Sequence, residues 1–469
     1  MNAIRHIIFI FIVIFGLSFS SCISDEMTDS PSATLSFSTD TVSFGVVFTD
    51  LTTPTARLLV FNRNDKGVNI SSIRFVNPET SFRLNVDGVS GSSFHDVEIR
   101  GKDSIYVFME CYVKANDNPE PFKVADRLEF ITNGVTQSIE VEAWGWNVTR
   151  LKGETITSDT HFTAERPYVI FDTLTIDNGA VVTVDPGAKL LFHDKAALRV
   201  KGRFLALGET DNMIRISGDR LDDVLPDTPY DLLAGQWGGI SFSPESFGNR
   251  MEYVNMRSSE SGLSIDSCGN LSESKLVLLN SWLHNSQTNV LNSKYARVDA
   301  FGCCFSDAAG SVVSLTGGFH NFVQCTIANS YLFSSLYQPN LMLNHCIPSD
   351  EENDANNPYM IASFENCIVW GEIGSSISPG DLTGSNVYMR NVLFKEDGSD
   401  DDNFIDCVWN ENPLYNTIRS EYYFNYSVQP DSPAIGKGNP AFITPETLYD
   451  MYGVDRLANG SPTLGAYAE

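Results

Sequence analysis

Cys304, Cys325, Cys346 and Cys367 stand 21 residues apart in the second half of this chain. Aligning the residues around them makes Cys303 the better first member, with steps of 22, 21 and 21. In that register Ser281 precedes and Val392 follows. Two residues beyond each come Leu283, Phe305, Ile327, Pro348, Val369 and Phe394. Four residues beyond come Asn285, Asp307, Asn329, Asp350, Gly371 and Glu396. Residues two apart in a strand share a face, so the cysteine and the apolar residue after it both point inward. The polar or glycine position then falls where the chain turns. At about 3.3 Å per residue, one period traces roughly 70 Å, enough for a three-sided coil. A fixed period of this length is the mark of a solenoid. Pro348 breaks the apolar column, so that coil is expected to bulge.

Upstream, the runs 174–187, 190–192, 198–208, 214–217 and 236–242 are short apolar stretches broken by Asp185-Pro186-Gly187, Gly202 and Gly208. This succession resembles the opening coils of pectate-lyase-like proteins of Bacteroidota, and the resemblance implies a right-handed parallel β-helix over residues 147–410. Downstream, Asn412-Pro413-Leu414-Tyr415, the run 426–435, Gly438, Asp455-Arg456 and Leu464-Gly465-Ala466-Tyr467 resemble a choice-of-anchor Q segment. That segment closes many secreted β-helix proteins, and it implies an architecture and an address for residues 411–469, not a reaction.

Residues 34–146 have another rhythm. Alternating runs at 35–38, 58–62, 82–86, 104–108 and 139–143 are separated by polar turns. Period-two alternation marks half-buried strands, and several at this spacing suggest a β-sandwich. With Val42-Ser43-Phe44-Gly45-Val46 and the run 128–133, the stretch resembles an immunoglobulin-like module of the choice-of-anchor D type. The expected fold is therefore all-β: an immunoglobulin-like β-sandwich, then the β-helix. The sandwich is read as a stalk that, with residues 147–172, caps one open end of the helix.

The first residues supply an address. Arg5 and His6 precede the apolar run Ile7–Leu17, which passes into small residues. That is the pattern of a secretory signal, too short to span a bilayer. Phe19-Ser20-Ser21-Cys22 resembles a lipobox, with Phe19 in place of the commoner Leu, and implies lipid attachment at Cys22. Ile23-Ser24-Asp25-Glu26 resembles the acidic export tag of Bacteroidota. The expectation is a signal peptide over 1–21, a flexible tether over 22–33, and an outer-membrane lipoprotein facing the cell exterior. The formal charge of −28 disfavours nucleic acid and anionic lipid as partners.

No catalytic set is readable. β-Helix enzymes acting on polysaccharides use paired carboxylates or a base beside a uronate. Asp222-Asp223 precedes Trp237 in a loop that could hold such a pair, although a solvated insertion fits it better. Asp350-Glu351-Glu352 and Asp400-Asp401-Asp402 read as solvated loops with at most weak calcium affinity. His161, His193, His284, His320 and His345 read as polar decoration of the coils, with Lys275 or Arg297 available to assist His284. Cys303, Cys325, Cys346 and Cys367 read as a buried column in which bridging is left open. No cofactor, metal site or catalytic residue is assigned. Tyr331, Tyr337 and Trp370 are the candidate glycan contacts, with Phe333 and Trp409 near them in the sequence. A non-catalytic glycan-binding or adhesive surface protein is the preferred reading, with a polysaccharide or a cell-surface protein as its partner. The alternative is a polysaccharide lyase or glycoside hydrolase.

Overall fold

The structure, a computed structural model, describes residues 26–225, 228–345, 359–378 and 384–469. It divides into two compact units, Met1–Asn147 and Val148–Glu469. Both are built of strands. Cys22 lies outside the described residues.

The first unit is a sandwich of two sheets. One holds, in spatial order, Leu35–Phe37, Ala56–Asn62, Ser104–Cys111, Phe82–Val86 and Val89–Gly91. The other is built on Thr41–Phe48, Val135–Trp146, Phe122–Thr132 and Val68–Phe75. Alternate residues face inward, as the sequence pattern requires. Leu58, Val60, Val107 and Met109 of one sheet and Ile70, Leu128, Phe130 and Val141 of the other are buried in one core.

The second unit is a parallel β-helix. Among the described residues, three all-parallel sheets of 11, 9 and 10 strands run along it, and the chain visits them in turn. The first sheet begins with Thr149–Lys152, the second with Thr155–Ile156 and the third with Thr160–Phe162. Each coil is paired to the one before it in register, so inward and outward positions repeat along each column. On the first sheet the inward column runs Leu190, Ile216, Met256, Leu283, Phe305, Ile327, Val369, Phe394 and Trp409. These side chains meet Phe322 and Phe364 of the third sheet, whose rings stack at 5.0 Å. Trp409 packs on Phe394 at 4.6 Å and Phe404 at 5.5 Å, plugging the last coil.

Cys303, Cys325 and Cys367 are buried in this interior, whereas Cys304 faces the opposite side of its strand. The described cysteines are free thiols. No described strand stands between the Cys325 and Cys367 rungs on this sheet. Ile327 pairs directly with Val369, so a single coil spans the distance assigned to two. Insertions after Asn329 and after Asn344 double its length and imitate the period by chance. Cys346, Pro348 and Asp350-Glu351-Glu352 lie outside the described residues.

The C-terminal segment does not add a coil. It lies along the outside of the first sheet, where Tyr426, Met451, Ala466 and Tyr467 bury Cys304 and Ala328. The corner entering that sheet repeats a left-handed residue: Asn280 at φ 42°, Gly302 at 63°, Gln324 at 55°, Asn366 at 54° and Asn391 at 52°. Asn tolerates this conformation because its short amide can bond locally. The amides reach out instead. Asn280 Nδ2 donates to Tyr449 O at 3.2 Å, Gln324 Nε2 to Thr463 O at 3.2 Å, and Asn391 Nδ2 to Lys437 O at 3.0 Å. Asn366 both donates to Asn439 O at 3.0 Å and accepts from Asn439 N at 2.7 Å. At about 1 kcal/mol per bond, this ladder fixes the segment's register on the coils.

Truncating an interior ring should be costly and truncating an exposed one should not. Phe322→Ala is expected to destabilise the β-helix by about 3–5 kcal/mol, read from the denaturant midpoint. Tyr337→Ala, at a side chain 82% exposed, should change it by less than about 0.5 kcal/mol.

Candidate functional site

The outward columns of the first sheet carry the polar chemistry. One runs Arg215, Asn255, Trp282, Cys304, Thr326 and Ile368. Its neighbour runs Arg257, His284, Ser306, Ala328 and Trp370. Beyond Cys304 and Ala328 both columns are covered by the C-terminal segment. Before them Arg257, Trp282 and His284 form the floor of a pocket of about 210 Å³.

Three loops raise its walls. The insertion ending at Gln236 brings Asp231 and Leu232, and it is tied down from below. Asn285 Nδ2 donates to Asp231 O at 2.9 Å and Leu232 O at 2.8 Å, Ser258 Oγ donates to Asp231 O, and Gln236 Nε2 donates to Leu233 O at 2.8 Å. The segment after Asn329 brings Tyr331, Leu332 and Phe333. Arg419 holds it by donating to Ser330 O at 3.2 Å and Tyr331 O at 3.4 Å. That arginine opens a 3-10 turn, Arg419–Glu421, which presents Tyr422, Tyr423 and Phe424 as the third wall.

The floor is a charged network under aromatic cover. Arg257 donates Nε to His284 Nε2 at 2.9 Å and Nη1 to Asp231 Oδ2 at 2.5 Å. Arg215 Nη2 reaches the same carboxylate oxygen at 3.1 Å. The His284 ring stacks on Trp282 at 4.0 Å and 9°, and Arg257 lies 5.6 Å from the centre of the indole. Burial first, then the Arg257 and Arg215 charges, hold His284 well below the usual imidazole range, so it is neutral. Burial, with Arg257 beside it, also lowers Arg215. On the far side Asp307 accepts from Tyr426 Oη at 2.5 Å and from Ser330 N at 3.0 Å. Burial pushes its carboxyl up to about 6. A neutral imidazole, a partly protonated carboxyl, a guanidinium and several ring faces thus converge on one small volume.

Of the residues singled out from sequence, Tyr331 and His284 are in this pocket and Phe333 borders it. Tyr337 is exposed outside it, and Trp370 packs against the C-terminal segment with Lys395 Nζ 5.4 Å from its ring. The structure does not bring Tyr331, Tyr337 and Trp370 together in one pocket. The histidines are not all exposed decoration, since His284, His320 and His345 are buried. His320 stands at an inward position between Val298 and Ala362 and bonds Gly317 O at 2.8 Å. Lys275 and Arg297 do not assist His284. Lys275 Nζ is enclosed by the carbonyls of Ser243, Pro244 and Ser267, and Arg297 serves Asp299 and Ser272 O.

Asp222 is clamped by both Arg220 Nε and Nη2, at 2.6 and 2.5 Å. Asp400 accepts from Trp409 Nε1 and Asp401 from the backbone of Asn403 and Phe404, so these two carboxylates order a turn instead of facing only solvent. Sequence reasoning missed Asp231, Arg257, Trp282 and the 422–424 aromatics. The repeat itself held a signal for two of them. Its inward positions were read, but the alternate, outward positions of the same strands are Trp282 and His284, and the preceding coil places Arg257 beside His284.

No protein-family profile matches this sequence, and the curated proteins yield no match. Among solved structures, similar chains include the ASH/PapD-like domain of human CEP192, at 11% identity, 28% of this chain, 96% of that one and TM-score 0.19. A protein of unknown function from Porphyromonas gingivalis is 13% identical over 26% of this chain and 59% of its own, with TM-score 0.19. The VesB protease of Vibrio cholerae is 11% identical over 24% and 32%, with TM-score 0.18. At such scores these likenesses carry no weight for the fold or the site.

The raised Asp307 sets a pH dependence. Its folded-state pKa of about 6 exceeds the ordinary 3.8, so the proton stabilises the folded state. That contribution is complete below pH 3.8 and lost as pH rises through 6, on the order of 3 kcal/mol. Asp307→Asn removes it. The thermal midpoint of the variant relative to the parent is therefore expected to rise between pH 4 and 6 and to level off above.

Proposed function

We propose that this chain is a lipid-anchored bacterial surface protein whose β-helix binds a saccharide in the pocket on its first sheet. The observation that carries the reading is the lining of that pocket. Trp282 and Tyr331 offer ring faces to a sugar ring at low conformational cost. His284, Asn285, Asp231 and Arg257 lie close enough to one another to bond its hydroxyls. A small concavity lined chiefly by aromatic and apolar side chains, with a few converging polar groups, is the usual form of a ligand site. The address rests on the signal pattern and the lipobox-like Phe19-Ser20-Ser21-Cys22. The likeness to choice-of-anchor modules gives the sandwich the role of a spacer.

Cleavage is a second reading, favoured by one observation. His284 is neutral and Asp307 titrates near 6 within the same pocket, and shifted groups of this kind cluster at reactive sites. Against it, the lone pair of His284 Nε2 is already occupied by Arg257 and Asp307 by Tyr426. We therefore favour binding without turnover.

Residues 23–469, applied to an array of plant, host and microbial glycans, are expected to retain a defined subset. Trp282→Ala and Tyr331→Ala should each weaken retention at least about tenfold, the value of one lost stacking contact or more. Release of reducing ends or unsaturated uronides from the retained glycans would establish cleavage instead. In the producing cell, Cys22→Ser is expected to abolish incorporation of labelled palmitate and to release the protein from the membrane fraction.

A further inference from the structure

We propose that the pocket recognises its saccharide through an anionic substituent, a carboxylate or a sulfate ester, seated against Arg257. This rests on the saccharide-binding reading and names the substrate class.

The charge pattern is the first argument. The chain as a whole is strongly acidic, with a formal charge of −28. At the pocket floor two arginines gather around one acid. Two guanidiniums, Arg215 and Arg257, share one carboxylate oxygen, Asp231 Oδ2, at 3.1 and 2.5 Å. His284 adds no charge, since its Nε2 accepts from Arg257 and must keep its lone pair for that bond. Arg215, Arg257 and Asp231 by themselves carry two positive charges against one negative, on arginine side chains that are largely covered, 35% and 20% exposed, and Asp307 is the other acid of the pocket lining. Like charges held together out of water repel strongly, and an incoming anion relieves them.

Geometry is the second argument. Arg257 commits Nε to His284 and Nη1 to Asp231. Its Nη2 has no hydrogen-bond partner among the described residues, although the residue lines the pocket. A guanidinium nitrogen without a protein partner can donate a charge-assisted hydrogen bond to a carboxylate or sulfate oxygen. Among the described residues no carboxylate bonds that nitrogen. Asp307 is engaged by Tyr426 and Ser330, and Arg419 lies 3.6 Å from Glu372 while bonding backbone carbonyls. Trp282, stacked on His284, is placed to meet the sugar ring that carries the anion.

Matched probes test this. Residues 23–469 would be titrated with oligogalacturonides and their methyl esters, and with sulfated galactan oligosaccharides and their desulfated counterparts. A glycan array of neutral and acidic members would be run beside them. The expected result is that the charged member of at least one pair binds at least about tenfold tighter than its neutral counterpart, with affinity falling as salt rises. The first pair answering identifies a carboxylate site, the second a sulfate site. Arg257→Met should erase the preference. Asp231→Asn, which removes a competing anion, should raise the ratio of charged to neutral affinity several-fold. A purely structural role would make both variants weaker, in step with their thermal midpoints, and that outcome overturns the inference. Equal binding of neutral members that still depends on Trp282 also overturns it and leaves the saccharide site standing. Silence across the whole array removes both.

Discussion

Parallel pairing between successive coils is the interaction on which everything else in the second unit depends. Each coil hydrogen-bonds to its predecessor in register, so a residue that faces inward or outward in one coil fixes the direction of its counterpart in the next. The interior becomes a continuous column of Leu283, Phe305, Ile327 and Val369. The exterior becomes columns too, and these can change character along the helix without disturbing the core. On the first sheet they pass from Arg257, Trp282 and His284 to Cys304 and Ala328. The polar part stays open and the apolar part is covered.

The cover explains where the pocket is. Apolar outward residues must be buried, and the C-terminal segment does this with Tyr426, Met451, Ala466 and Tyr467. Its register is set by the side-chain amides at the corner, from Asn280 to Asn391. The segment ends its coverage beside Trp282, with Tyr422, Tyr423 and Phe424 standing at the margin. A coil insertion on one side and a strand-to-strand loop on the other complete the enclosure. The low-dielectric floor then strengthens the Arg257–Asp231 and Arg257–His284 contacts.

The fold was legible in the sequence because it obeys two short-range rules, alternation within a strand and recurrence between coils. Cys303, Cys325 and Cys367, with the apolar residue two places on, carried both, and they are inward as expected. Cys346 misled because length alone cannot distinguish two coils from one coil with two insertions. Cys325 N lies 3.4 Å from Cys367 Sγ, as only adjacent rungs can. The pocket was far less legible. Tyr331 was found as an aromatic, but Asp231, Arg257, Trp282 and Tyr423 are brought together by insertions, whose conformation no periodicity dictates. Trp370 resembled an exposed ring in sequence and became a packing residue once the C-terminal segment was folded over it.

We propose that ligand recognition belongs to the place where these insertions meet on the first sheet. Amide hydrogen exchange with and without the saccharide most strongly retained on the array tests it most directly. Added protection is expected at 231–232, 282–285, 330–333 and 422–424, and none in the sandwich. Protection confined to the groove of the sandwich around Arg83, Asn85 and Ser90, with the first sheet of the helix unchanged, would contradict it.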